Sequence, residues 1–264
     1  MKFLVYLIII LIAVYTVLLI IMYVFQERLI FFYHELDDDH RFEFPVEFEE
    51  RFFDTPGDGL INALHFKIPE PKGVVLYFHG NTGTLAEWGE VHHDFNNLAY
   101  DLLIYDYRKF GKSKGKISQE TLLSDAEFLY NIVVEEYGED KVVLYGRSLG
   151  SGISCYLASK FDPKLLFLET PYYSLSAVGA GRYPFMPVKW LSKFPMPSFR
   201  YIAEVDCPIY IIHGTKDYVI PLKYAQQLCD SSNGKAEMVI VKGAEHNNLE
   251  DFDEYHELLK KALR

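Results

Sequence analysis

The stretch Lys141–Gly152, KVVLYGRSLGSG, constrains the fold more than any other part of the chain. A run of β-formers ends at Gly146 and a helix-compatible run begins at Leu149, so the backbone must turn sharply within about three residues. A serine on a solvated turn needs no special neighbours. A serine forced into a cramped bend between a strand and a helix needs glycine beside it, because only glycine lacks the Cβ that would clash. Gly146, Gly150 and Gly152 therefore mark Ser148 as a nucleophile presented on an elbow. The bare pattern G-x-S-x-G arises by chance in roughly one chain in twenty of this length, so the remaining sequence has to decide.

That sequence alternates strands and helices. VEFEERFFDT and LINALHFKI flank the turn PGDG and predict an antiparallel hairpin. VVLYFHGN is short and wholly apolar before its polar end, as a strand buried on both faces requires. LLIYDY, KVVLYG, LLFLET, PIYIIHG and AEMVIVKG repeat the theme. Helical stretches separate them, one entered at Ser118 as an N-cap and the last being LEDFDEYHELLKKALR. The expectation is an α/β fold with a mostly parallel central sheet and helices on both faces. Pro171–Val205 breaks the rhythm with aromatics, Met and Pro. Connections of that length carry function or their own short helices, so the segment 171–205 is read as a lid-like insertion.

At 264 residues the chain has room for one large α/β domain. A formal charge of −11 argues against nucleic acid as a partner, since the chain has no basic stripe to neutralise phosphates. The same charge argues against electrostatic adhesion to an anionic bilayer. Membrane contact has to be hydrophobic, and Phe3–Phe25 supplies it with an uncharged run interrupted only by Thr16. As a helix it spans about 34 Å, enough for a hydrocarbon core of about 30 Å. A signal peptide has a shorter apolar region and a small-residue cleavage site, and neither feature is present. Residues 1–28 are therefore expected to form a single-pass anchor, 29–43 a solvated acidic connector and 44–264 the folded domain. A chain shortened to start near Leu36 is expected to keep the whole site. Lys2 ahead of the run favours an N-terminus inside, which places the domain on the non-cytoplasmic face. The three cysteines, Cys155, Cys207 and Cys229, form no C-x-x-C and indicate neither a disulfide framework nor a zinc site.

Ser148 needs a base oriented by a third group. Of nine histidines, His246 in VKGAEHNN falls in a loop directly after a predicted strand. Asp217 in HGTKDYVIP follows another strand in the same way. Parallel sheets carry their sites at the C-terminal strand ends, so Ser148, Asp217 and His246 share one rim. The backbone amide of Leu149 and one from the loop HGNTG, assigned to Asn81 with Thr82 as second choice, would form an oxyanion hole. His79 is read as shaping that turn. No metal or organic cofactor is expected, and the oligomeric state is open.

HGNTG, YDYRKFGKSKGK, YGRSLGSG, ETPYYSL, HGTKDYVIP and GAEH resemble serine α/β-hydrolases of the BEM46-like (ABHD12/13/17-related) type. The resemblance runs from about Phe44 to the C-terminus and extends to the anchor. It implies an α/β-hydrolase fold, with Ser148 as nucleophile, Asp217 as acid and His246 as base. Lys109 and Ser151 depart from it, each standing where the family pattern has glycine. The implied activity is hydrolysis of an ester or thioester through an acyl-enzyme, of carboxylesterase, lysophospholipase or thioesterase kind. A lipid-like acyl substrate fits the apolar insertion, where Tyr183, Phe185, Met186 and Trp190 are expected to contact it. The alternatives are a serine peptidase related to the prolyl oligopeptidases and a non-catalytic binding module on the same fold.

Overall fold

The computed structural model describes residues 1–264. An apolar helix α1 (Lys2–Ile30) comes first. The hairpin β1 (Phe48–Thr55) and β2 (Gly59–Phe66) follows, then β3 (Val74–Phe78). Two short helices, α2 (Leu85–Trp88) and α3 (His92–Asn96), lead into β4 (Asp101–Tyr105). Next come α4 (Gln119–Tyr137), β5 (Val142–Arg147), α5 (Leu149–Ala158) and β6 (Leu165–Glu169). The expected insertion holds three short helices, α6 (Leu175–Arg182), α7 (Val188–Leu191) and α8 (Ser198–Ala203). Strand β7 (Ile209–Gly214), α9 (Leu222–Asp230), β8 (Ala236–Val241) and α10 (Asp253–Ala262) complete the chain.

The eight strands form one sheet in the order β1-β2-β4-β3-β5-β6-β7-β8. β1 pairs antiparallel with β2, β2 pairs antiparallel with β4, and all later pairings are parallel. Strand alternation divides the core in two. Val74, Leu76 and Phe78 point to one face with Leu144, Leu166 and Ile211, under α4, α5 and α9. Val75 and Tyr77 point to the other with Tyr145 and Phe167, under α3 and α10. Both faces are apolar, which is why β3 is buried at every position. Ser118 caps α4 as expected, its hydroxyl accepting from the Thr121 amide at 3.1 Å.

The connector departs from the expectation of a solvated linker. Phe31 is buried in one core and Phe42 in the other. Leu36 donates its amide to the Gly111 carbonyl at 2.9 Å, and Gly111 donates to His34 at 3.0 Å. The acids face water while every few residues an aromatic turns inward, and this spacing hid the packing in an acidic run. A chain starting at Leu36 would lose Phe31 from the core, so that cut does not leave the domain intact.

Helix α1 is long and apolar enough to cross a membrane, and none of its side chains is fully buried. Its C-terminal half nevertheless packs on the domain. Leu19, Met22, Gln26, Glu27 and Ile30 are partly covered while their neighbours are exposed. Those positions recur at helical spacing and define one face.

Candidate active site

Strand β5 ends at Arg147 and α5 begins at Leu149, leaving Ser148 alone at the bend. Its backbone sits at φ 51° and ψ −113°, a conformation costly for a residue with a side chain. The bend is held in place: the Ser148 amide donates to the Glu169 carbonyl at 2.9 Å. Glycine is needed beside it for close approach. A Cβ on Gly150 would lie 2.0 Å from the Phe78 carbonyl oxygen, and one on Gly146 would lie 2.1 Å from Ser154 Oγ. Ser151 is accommodated because its hydroxyl donates to the Ser148 carbonyl at 2.7 Å inside α5.

Ser148 Oγ lies 3.0 Å from His246 Nε2, and His246 Nδ1 lies 2.7 Å from Asp217 Oδ2. With His246 Nδ1–H donating to Asp217, the Nε2 lone pair faces the serine hydroxyl. The Asp217 carboxylate also accepts from the amides of Val219 at 2.9 Å and Ile220 at 2.8 Å. Burial opposes its charge, but hydrogen bonds from His213 and His246 and from the Ile220 amide outweigh it and hold the carboxyl well below its usual range. His213 is a residue that sequence reasoning missed. It is fully buried, with Nε2 3.2 Å from Asp217 Oδ2 and 2.8 Å from the Ile220 carbonyl. Its place at the end of a strand, four residues before Asp217, was the available signal.

A family model for the alpha/beta hydrolase fold matches residues 73–166, the span from β3 to the start of β6. An uncharacterized Mycobacterium tuberculosis protein is 30% identical over 181 residues, which cover 68% of this chain and 64% of the relative. The chain thus covers less than two thirds of that relative's length. Alpha/beta hydrolase domain-containing protein 17B of Homo sapiens is 29% identical over 199 residues, 74% of this chain and 67% of the relative. The chain has the α/β-hydrolase fold and is similar in sequence to that protein. Among solved structures, a Pyrococcus furiosus esterase superposes with a TM-score of 0.69 at 16% identity, covering 88% of this chain and 97% of that one. That likeness concerns the fold.

Leu149 and Asn81, whose amides are expected to receive an oxyanion, both line the pocket at Ser148. The Asn81 amide donates to no other backbone group. The Asn81 loop is tied to the end of α1: its side chain donates to the Ile30 carbonyl at 2.6 Å, and its carbonyl accepts from the Phe32 amide at 2.8 Å. His79 is fully buried below the loop, with Nδ1 2.7 Å from the Gly80 carbonyl and Nε2 3.4 Å from Asp106 Oδ1. It does not border the pocket, in keeping with a turn-shaping role.

The pocket has a volume of about 610 Å³. Its walls come from three places. Trp88, Arg147 and His246 surround the serine; Leu175, Val178, Tyr183, Met186, Val188 and Leu191 come from the insertion; Met22, Tyr23, Gln26, Leu29 and Ile30 come from α1. Of the four insertion residues expected to line it, Tyr183 and Met186 do. Phe185 and Trp190 do not; they point outward and are 63% and 90% exposed. Around Met186 the backbone turns that side chain inward and its neighbour outward, and α7 is one turn with room for few inward positions. The α1 wall was missed because an anchor-like run carries no mark of which face meets protein. Glu90, His92 and His93 bring ligand atoms within 4.8 Å of one another, the one such cluster. His92 Nδ1 faces the Gly89 carbonyl at 3.0 Å and its ring stacks on Phe66, so two of its faces serve packing.

Proposed function

We propose that this chain is a membrane-anchored serine hydrolase that cleaves an ester or thioester of a lipid-like acyl group. The observation that carries the reading is the Ser148–His246–Asp217 relay at 3.0 Å and 2.7 Å, opening onto a pocket whose lining is mainly hydrophobic. His246 takes the Ser148 proton as Oγ attacks the acyl carbonyl, and Asp217 holds the imidazole in the tautomer that permits this. The negative oxygen of the tetrahedral intermediate is met by the amides of Leu149 and Asn81, each worth about 3 kcal/mol of transition-state stabilisation in comparable sites. His246 then protonates the leaving alcohol or thiol. Water, activated by the same imidazole, releases the acid from Ser148.

The apolar walls favour a single-chain lipid ester, such as a monoacylglycerol or lysophospholipid, over a peptide or sugar ester. The uncharged run Phe3–Phe25 within helix α1 supplies the anchor. The test is a fluorophosphonate probe on the full-length protein, together with kcat/KM for p-nitrophenyl esters from C2 to C16. Labelling lost in Ser148→Ala and activity rising with chain length are expected. Near-normal ester hydrolysis by Ser148→Ala would overturn the serine assignment, and a steady fall from C2 would overturn the lipid one.

A further inference from the structure

The insertion does more than roof the pocket: it runs along α1. Gln26 Nε2 donates to the Leu191 carbonyl at 3.1 Å, Gln26 Oε1 accepts from the Lys193 amide at 2.6 Å, and Tyr15 OH donates to the Phe185 carbonyl at 2.8 Å. Leu191 and Phe185 are thus pinned to helix positions eleven residues apart, about 16 Å along the axis. Gln26 is the first residue after the uncharged run, so a membrane surface drawn there puts Phe185 about 16 Å inside. If the span instead takes only about 20 residues from Phe3, it ends at Met22, and Phe185 still lies about 10 Å inside. The exposed side chains match such a setting. Phe185 is 63% exposed and Trp190 is 90% exposed, and Lys193 Nζ lies over the Tyr23 ring of α1, 4.2 Å from its centroid. An outward tryptophan beside the helix position where polar residues resume is what an interfacial belt uses.

We propose that Tyr183–Trp190 is embedded in the bilayer beside the C-terminal half of α1, and that the pocket takes its acyl chain directly from that leaflet through the seam between them. Met22 and Leu29 on one side of the seam and Val188 and Leu191 on the other already line the pocket, so an entering chain passes from lipid tails to apolar side chains. The inference deepens the reading of the site as an acyl hydrolase and rests on it.

The chain has two tryptophans, so Trp88→Phe leaves Trp190 as the sole one. Full-length Trp88→Phe protein in phosphatidylcholine vesicles is expected to show blue-shifted emission that lipids with a doxyl group near the headgroup quench and acrylamide does not. The second measurement uses Phe185→Asp/Trp190→Asp, which leaves α1 and every pocket-lining side chain in place. Its kcat/KM for monooleoylglycerol in vesicles is expected to fall at least 10-fold, with fluorophosphonate labelling and hydrolysis of a soluble C4 ester within about 2-fold of the parent. Water-like emission quenched by acrylamide alone, or undiminished turnover of the vesicle substrate, would overturn the inference. Absence of labelling and of C4 hydrolysis in the unaltered protein would instead overturn the hydrolase reading on which it rests.

Discussion

Lys109 occupies the left-handed region at φ 72°, which explains why its position in the motif is usually glycine. A side chain there costs about 1 kcal/mol or slightly more. The compensation is local: Lys109 Nζ pairs with Glu27 Oε1 at 2.5 Å, and Tyr33 OH donates to the same oxygen at 3.2 Å. Because the pair is partly exposed, it contributes at most about 1 kcal/mol. The two effects nearly cancel. Lys109→Gly should therefore unfold within about 0.5 kcal/mol of the parent, while Lys109→Ala, which keeps the strain and loses the pair, should be less stable by about 0.5–1 kcal/mol. Thermal unfolding in mild detergent checks this. A loss above 2 kcal/mol in Lys109→Gly would mean the pair does far more than its geometry allows.

Among the elements, α5 and β3 are the closest-fitted, because Gly150 lets the helix start against the Phe78 backbone. Gly150→Ala would place its Cβ 2.0 Å from that carbonyl oxygen, in the middle of the sheet, where neither side can move. The expected cost is about 3 kcal/mol, the upper end of overpacking. Gly243→Ala is the matched control: at φ 91° with nothing within 4 Å, it should cost only about 1 kcal/mol of backbone strain. Equal losses would mean that conformation rather than contact decides. The same pair of elements marks how far the sequence could be read. β3, β5 and the elbow were legible because burial on both faces demands unbroken apolar runs and a sharp bend demands glycine. Asp217 and His246 were legible because strand ends point to one rim. Phe31, Phe42 and the α1 face were not, since each depends on which side of a short segment meets a surface formed elsewhere. Phe185 and Trp190 failed for the same reason: composition marks a segment as apolar but does not say which of its residues face in.

Across the whole molecule, the titration of one buried histidine should be visible in stability. His65 lies on β2 of the edge hairpin, with Nδ1 3.3 Å from Arg51 and Nε2 2.8 Å from Tyr137 OH. Burial first, then the charges of Lys67 and Arg51, push its pKa from the usual 6.5 down to about 4. Above pH 6.5 both states are neutral there and the contribution is fully present. Between pH 6.5 and 4 the unfolded chain takes up a proton that the folded chain refuses, so stability declines by about 3 kcal/mol in total and levels off below pH 4. Unfolding free energy measured against pH for the parent and His65→Gln should diverge over that window only. Parallel curves would show that His65 protonates freely in the folded protein.

The contacts between α1 and the insertion also set a schedule for synthesis. Tyr15 meets Phe185 across 170 residues and Gln26 meets Leu191 across 165. At about 5–20 residues per second, the helix leaves the ribosome roughly 8–35 s before the segment it will hold has been made. During that interval its partner-facing side, from Tyr15 to Ile30, has no protein to bind and must be kept by lipid or by a chaperone. Assembly of the pocket is therefore a late event, completed when the newly made insertion displaces whatever has been guarding that side of the helix.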